Sequence, residues 1–316
     1  MKSLVSVIIP AYNCEKYIAE AVESGLAQDY PSVEIIVVND GSTDGTMDVL
    51  RTFGDKVRIV DQTNGGPPKA RNAGLLAAKG DYIAFLDADD VWLPQKISAQ
   101  VAHLEANPDV GTCYCSWHVW PADKDGVFRK PTFYSQPFSD FSSISSKSGW
   151  IYDRLLFDCE LLTTTVMIRS SVARRVGEFD VNLWNGDDYD YWIRLSQAAK
   201  ISCLAPIGAL YRVVEGSVSR RAKPINHELL VIKRAIGRFG LTDPAGTQID
   251  ADKISHRLDS LIFKFGYLHL RSGDPAVALS AFLENLQLRP LQPKIWLHVV
   301  EAFFRRLLRG NALTGA

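Results

Sequence analysis

Cysteine is scarce in this chain: five among 316 residues, an odd number, with no second Cys or His pair at zinc spacing. Neither a disulfide framework nor a structural zinc site is expected. Cys113 and Cys115 stand two apart within Val110 to Trp117, a segment that reads as a strand, so they share one face and are expected to pack as small buried hydrophobes. Long apolar runs are missing too. None approaches 18 residues, and Pro10 with Tyr12-Asn13 breaks the first one before it takes signal-peptide form. The expected compartment is therefore the cytoplasm. Excess charge is also absent: the formal net charge is −1, with no basic patch in the first two thirds, so nucleic acid is not an expected partner. The six His residues form no ligand pair at helical spacing.

What is present is apolar residue in quantity, 47% of the chain, enough for one large core or two smaller ones. The first hundred residues alternate strand and helix. Strands are predicted at Val5 to Ile9, Glu34 to Val38, Val57 to Val60 and Tyr82 to Leu86, with helices near Glu15 to Ala27, Asp44 to Phe53 and Lys69 to Ala78. Right-handed crossovers make this an α/β fold, a Rossmann-like, mostly parallel sheet with helices on both faces. A looser second part follows: a helix to about Glu105, a strand around Cys113, a long Ser-, Phe- and Pro-rich loop from Pro121 to Ser148, a strand at Leu162 to Ile168, a helix at Asp188 to Ala199 and a returning strand at Ile201 to Tyr211. The loop is too long for a mere connection and is read as mobile or substrate-facing.

Beyond about Arg221 the chain turns helical, with candidates at Ile225 to Phe239, Ala251 to Leu270, Pro275 to Leu288 and Pro293 to Leu308. Gly266, Gly273, Ala278, Phe282 and Pro290 fall at spacings similar to one tetratricopeptide unit, whereas stacking needs about three. The expected division is a catalytic domain over 1–222, in halves 1–105 and 106–222, with a C-terminal helical appendage over 223–316. That appendage is either simple packing or a partner surface.

Polar clusters close three of the strands: Pro10-Ala11-Tyr12-Asn13, Asn39-Asp40-Gly41-Ser42 and Asp87-Ala88-Asp89-Asp90. In a parallel sheet these ends share the carboxyl edge, where open α/β folds bind ligands. Carboxylates as dense as Asp87, Asp89 and Asp90 repel one another unless water, hydrogen bonds or a cation offset the repulsion. They point to a cation and diphosphate site; the alternative is a solvated acidic turn that caps the next helix.

Val5 to Asn13 and Val37 to Asp44 resemble the family 2 glycosyltransferases of the GT-A fold. So does the run from Asn64-Gly65-Gly66 through Ala70-Arg71-Asn72-Ala73-Gly74 to Gly80-Asp81 and Asp87-Ala88-Asp89-Asp90, almost position by position. The resemblance extends from Val5 to about Arg220. It implies transfer of a sugar from a nucleoside diphosphate donor to a saccharide or lipid-linked acceptor hydroxyl, with inversion, in polysaccharide or glycolipid synthesis. Pro10, Ala11 and Asn13 would line the nucleotide pocket, and Tyr12 would lie against the base. Asp40 would accept an imide N–H, as uracil presents, which favours a UDP-linked donor. Arg71, one turn into its helix, would reach the nucleotide or diphosphate. In this DXD segment Asp89 would hold Mn²⁺ or Mg²⁺, and Asp87 the ribose or the same ion through water, with Ala88 between them.

Gly186-Asp187-Asp188-Tyr189-Asp190 resembles the family's acidic helix start, whose second acid removes the acceptor proton, so the base falls on Asp188. Acids at a helix N-terminus are also favoured by the helix dipole alone. Trp150 and Trp184 are read as packing residues, or as platforms for an acceptor sugar. The chain departs from the pattern at Val214, where many relatives have a His; if that His helps hold the ion or diphosphate, then Arg212, Ser217, Arg220 or Arg221 must substitute here, or the metal is held more loosely. A catalytically silent nucleotide-sugar module with a partner-binding tail is the competing reading. A nucleotidyltransferase would need a Gly-rich basic loop after the first strand, and Pro10-Ala11-Tyr12-Asn13 is unlike one. Phe303-Phe304-Arg305-Arg306-Leu307-Leu308-Arg309 suits either a core-packed terminal helix or peripheral contact with the inner face of a membrane.

Overall fold

The computed structural model describes residues 2–138, 142–214 and 223–313, with side chains through 308. The chain divides into two compact units, Met1–Glu215 with Asp243–Thr247, and Gly216–Thr242 with Gln248–Ala316. In chain order the first unit contains β1 (Val5–Ala11), α1 (Ile18–Leu26), β2 (Val33–Asp40), α2 (Thr46–Arg51), β3 (Arg58–Gln62), α3 (Pro67–Ala77), β4 (Tyr82–Phe85), β5 (Val91–Trp92), α4 (Lys96–Ala106), β6 (Val110–Pro121), α5 (Tyr152–Leu155), β7 (Met167–Arg169), α6 (Ser170–Val176), α7 (Asp187–Ala198) and β8 (Lys200–Val213). The second contains α8 (His227–Phe239), α9 (Ala251–Ser272), α10 (Pro275–Leu288) and α11 (Pro293–Leu313).

One eight-stranded sheet, in the order β3-β2-β1-β4-β7-β6-β8-β5, forms the frame of the first unit. The pairs β3–β2, β2–β1, β1–β4 and β6–β8 are parallel, while β4–β7, β7–β6 and β8–β5 are antiparallel. Strands this apolar must be covered on both faces. Val5, Val7 and Ile9 of β1, with Ile35 and Val37 of β2, share a core with Ile18, Val22, Leu50, Ile97 and Leu104 from α1, α2 and α4. The opposite face, Ile36 and Val38, packs on Ala70 of α3. Gly74 permits the closeness of α3: a Cβ there would stand 2.3 Å from Ile8 Cγ2.

The strand expected over Leu162 to Ile168 is shorter. Thr163–Thr165 form a 3-10 turn in which Thr165 Oγ1 donates to the Leu162 carbonyl, and pairing starts at Met167. Side-chain bonds of this kind compete with the ladder. Strand β5 and helices α5 and α6 were not anticipated; β5 has two residues, too few for a period. Cys115 pairs with Leu204 and Ser116 with Ile207, so Ala205 and Pro206 bulge out of β8. All five cysteines are free, and Cys113 and Cys115 are buried.

The described part of the long loop packs on the sheet edge. Phe128, Phe133, Tyr134 and Phe138 lie against Val91, Leu93, Trp120 and Leu210. In the second unit, side chains of Asp250 and Asp274 accept from the first-turn amides of α9 and α10. Leu270, Ala278, Phe282, Ile295 and Ala302 form its core. Gly266 of α9 sits where a Cβ would meet the Phe282 ring at 3.0 Å. Among the described residues no helix is long and apolar enough to cross a membrane.

Candidate active site

Because β2, β1 and β4 run parallel side by side, their polar ends emerge on one edge. The end of β2 is tied down first. Asp40 is buried and accepts from Gln62 Nε2 (2.6 Å) and Gly65 N (2.9 Å) through Oδ1, and from Gly66 N (2.8 Å) through Oδ2. A carboxylate offers about four lone-pair positions, so Oδ2 keeps one for a further donor. Gly66 takes φ of 82° and starts α3; a Cβ there would lie 3.4 Å from the Trp184 ring. Trp184 is thus an exposed ring seated on the glycine turn, three residues before α7.

At the end of β1, Ala11 is buried and Tyr12 is 51% exposed. Asn13 adopts φ of 46°, its amide donates to Ser42 Oγ (3.1 Å), and its Oδ1 accepts from Thr43 N (2.8 Å). Asn and Asp tolerate this left-handed backbone better than other residues with a side chain. The β1 and β2 ends therefore form one unit, with the Tyr12 ring free of it.

The third end carries the acids. Burial, with the charge of Asp89 and Asp188, raises Asp87 to about 6 against the pull of Arg71. Burial likewise raises Asp89, against Arg212, and burial with Asp87 and Asp89 raises Asp90 well above the usual range. Ala88 between them is buried. Burial is the first cause of all three shifts, so the charged forms of these acids are held at a cost that a nearby cation would lower.

Arg71 was expected to reach the nucleotide or diphosphate. Its fork holds carboxylates from two directions, with Nη1 on Asp187 Oδ2 at 2.5 Å and Nη2 on Asp87 Oδ1 at 3.5 Å, and its side chain is 9% exposed. Burial would lower the guanidinium, but Asp187, Asp87 and Asp188 outweigh that and the net shift is upward. Asp187 is itself raised to about 6, by burial first and then Asp188, against Arg71. This pairing brings the start of α7 beside the end of β4. Gly186, at φ of 80°, turns the chain into α7. Asp188 is half-buried, and one of its oxygens accepts from Thr163 Oγ1 at 3.2 Å. Asp190 is occupied by Arg194 at 2.7 Å.

Arg212, suggested as a stand-in for a metal-binding His, is committed elsewhere. Its Nε donates to the Asp89 carbonyl (2.6 Å), its amide to Asp90 Oδ1 (2.9 Å) and its Nη2 to Glu20. Its guanidinium lies 4.3 Å from the Trp120 ring centre and 4.5 Å from that of Phe128. Arg212 braces the acidic turn from behind. Ser217, Arg220 and Arg221 lie outside the described residues. The pairings of Asp187, Thr163, Gln62 and Glu20 were missed, since each joins residues distant in sequence.

The sequence pattern of Glycosyl transferase family 2 matches residues 6–154. The Escherichia coli UDP-Glc:alpha-D-GlcNAc-diphosphoundecaprenol beta-1,3-glucosyltransferase WfaP is 34% identical over 223 residues, covering 68% of this chain and 80% of that protein. The chain belongs to glycosyltransferase family 2. It spans at most 60% of the length of the first curated Rickettsia glycosyltransferases that it also matches. Among solved structures, this family 2 chain is similar to Staphylococcus aureus TarS 1–349 in complex with UDP-GlcNAc, with TM-score 0.67, 21% identity, and 96% and 89% of the two chains covered. The mannosyltransferase PcManGT from Pyrobaculum calidifontis, in complex with GDP-Man and Mn²⁺, gives TM-score 0.58 at 20% identity, covering 97% and 88%. These likenesses establish the fold, a mixed, mostly parallel GT-A sheet followed by a run of helices. In this glycosyltransferase Asp40, Arg71, Asp87, Asp89 and Asp90 all fall within the matched pattern: Asp40 closes β2, Arg71 lies in α3, and the other three follow β4.

Proposed function

We propose that the chain is an inverting glycosyltransferase that moves one sugar from a UDP-linked donor to a hydroxyl of a saccharide or lipid-linked acceptor, in cell-surface polysaccharide or glycolipid synthesis at the cytoplasmic face of a membrane. The observation that carries this reading is the unequal state of two adjacent acids. Asp187 is buried on Arg71, whereas Asp188 is half-buried and pairs with no cation among the described residues, accepting from the Thr163 hydroxyl through Oδ2 and from the Tyr189 amide through Oδ1. Asp188 is the catalytic base: it takes the acceptor proton while the acceptor oxygen attacks the anomeric carbon from the side opposite the nucleotide. The bond to the diphosphate breaks in the same displacement, and the anomeric configuration inverts.

Tyr12 stacks on the base beside Pro10, Ala11 and Asn13, and the open position on Asp40 Oδ2 accepts the uracil imide N–H. The donor names of WfaP and TarS support a UDP-linked sugar. Arg71 acts on the diphosphate side through the acids it clamps, Asp87 and Asp187. Among the described residues no three His, Cys, Asp or Glu side chains gather as a metal site. The neighbouring carboxylates of Asp87 and Asp89 nevertheless fit Mg²⁺ or Mn²⁺, which bind through one or two carboxylates plus substrate phosphates and water. Asp89 would hold the ion, with Asp87 next to it or on the ribose. When bound, the cation neutralises charge on the departing diphosphate. Residues 1–222 form the catalytic domain in this reading, and 223–316 a helical appendage.

The test is nucleotide release in the presence of UDP-sugars, Mn²⁺ and a diphosphate-lipid acceptor. Wild type releases UDP and extends the acceptor; Asp188→Asn loses about 10²–10⁴ of the rate while donor binding by calorimetry persists. Undiminished transfer by Asp188→Asn removes the assignment. Val214 offers no ligand atom and favours a second reading, a silent nucleotide-sugar module; donor binding with no turnover toward acceptor or water would select it.

A further inference from the structure

We propose that the outward face of α11 is an interfacial anchor that lies on an anionic lipid surface. The helix has two apolar faces where packing needs one. Ile295 and Ala302 are buried, and Val299 partly so, in the core made with Leu270 and Phe282. Trp296, Leu297, Val300, Phe303, Phe304 and Leu307 are all exposed on the other side, and Leu308 is 70% exposed. At about 100° per residue these positions fall within an arc of about 140°, repeated along more than three turns. A continuous apolar stripe of this length marks a surface that meets something else.

The charges select the occupant. Lys294 and Arg305 fall along one margin of the stripe by the same helical arithmetic, and Arg306, at the angle of Ile295 and Val299, is exposed one turn past the core that they form. Glu301 is the one acidic residue of the helix, and it is taken up by Arg305 at 2.9 Å and Arg271 at 3.6 Å. An apolar stripe of Trp, Phe and Leu with a cationic border is the composition of helices that lie in the headgroup region. A second copy of the chain would bring the same positive border against itself, so self-association is the less favourable use of this face. On a membrane the border meets anionic headgroups, and the chain is held where a lipid-linked acceptor resides. The readout below is binding alone, so it stands or falls separately from the assignment of donor and base.

The experiment is vesicle flotation of the full chain, with phosphatidylcholine alone and with about 30% phosphatidylglycerol, the latter setting a negative surface potential. The chain is expected to float with the anionic vesicles and to bind them about tenfold more weakly in 0.5 M salt. Phe304→Ser with Leu308→Ser weakens binding at least tenfold by removing buried apolar area. Because both side chains are exposed, thermal melting of that variant stays at the wild-type value, which separates lost binding from lost fold. Lys294→Gln with Arg306→Gln weakens binding to anionic vesicles about tenfold and leaves phosphatidylcholine unaffected. No flotation with phosphatidylglycerol overturns the proposal, as does binding indifferent to both variants. A light-scattering dimer dissolved by Phe304→Ser with Leu308→Ser, with no vesicle binding, assigns the face to self-association and overturns it too.

Discussion

The two acidic segments of the chain, Asp87 to Asp90 after β4 and Asp187 to Asp190 at the start of α7, hold the same residue type under opposite conditions. In the second, cations account for two of three carboxylates: Asp187 faces Arg71 and Asp190 faces Arg194, leaving Asp188 with the Thr163 hydroxyl and the Tyr189 amide. In the first, all three carboxyls are pushed upward by burial, and Asp87 and Asp90 by neighbouring acids as well. Arg71 reaches Asp87 at 3.5 Å, and Arg212 spends itself on the Asp89 carbonyl, Glu20 and an aromatic cage. One segment lacks positive charge and is suited to a cation; the other is balanced apart from one acid and is suited to proton transfer. Residue type alone does not separate the two roles.

The strongest way to break the comparison is to remove the arginine that both segments share. Arg71→Met leaves Asp187 and Asp87 buried without their cation, and the expected cost is about 3–5 kcal/mol of stability, read as a lower urea midpoint. Stability unchanged in that variant would show that the two segments are not held together by this pair. Next in size is Asp89→Asn. Wild type should gain several degrees in thermal melting from UDP-sugar with Mn²⁺, and the variant should lose the Mn²⁺-dependent part of that gain. Asp190→Asn should leave the Mn²⁺-dependent gain intact.

A smaller effect sharpens the electrostatic argument. Asp87 titrates at about 6 in the folded chain, against 3.8 for the unperturbed group. The folded state therefore binds the extra proton between those values, and stability is lost as pH rises from about 4 to about 6. Carboxyls shifted the other way, such as Asp44, oppose this, so the informative quantity is a difference. Relative to Asp87→Asn, wild type should weaken across that window in urea unfolding; a flat difference contradicts the upward shift. The least effect is expected from Asp190→Asn, which removes an i,i+4 pair with Arg194 and should cost about 1 kcal/mol or less.

Legibility followed range. Strands β1, β2 and β4 are apolar runs closed by polar residues, so their positions and their shared edge could be read from neighbours along the chain. Helix α10 starts at Pro275 as expected, proline being a local signal of helix entry. The strand at Leu162 to Ile168 misled because Thr163 to Thr165 have strand propensity, yet Thr165 spends its hydroxyl locally and Thr163 spends its own on Asp188. Strand β5 exists because Val91 and Trp92 meet Leu210 and Ala209, more than a hundred residues on. That Arg71 pairs with Asp187 and Asp87 could not be read from the sequence, because these acids are brought to it by different elements.

By itself the sequence determined the alternation of strand and helix, the carboxyl edge where Tyr12, Asp40 and Asp89 emerge, the helical character of the last third and the membership of a family. These follow from periodicity, turn chemistry and short motifs, all of which act over a few neighbouring residues. The tertiary structure alone decided which acid of each pair is paired and which is left available. It also turned Arg71 into a clamp and Arg212 into a brace, and left one face of α11 uncovered. The physical reason is that the balance of a charge and the cover of an apolar face belong to whatever residues meet in space.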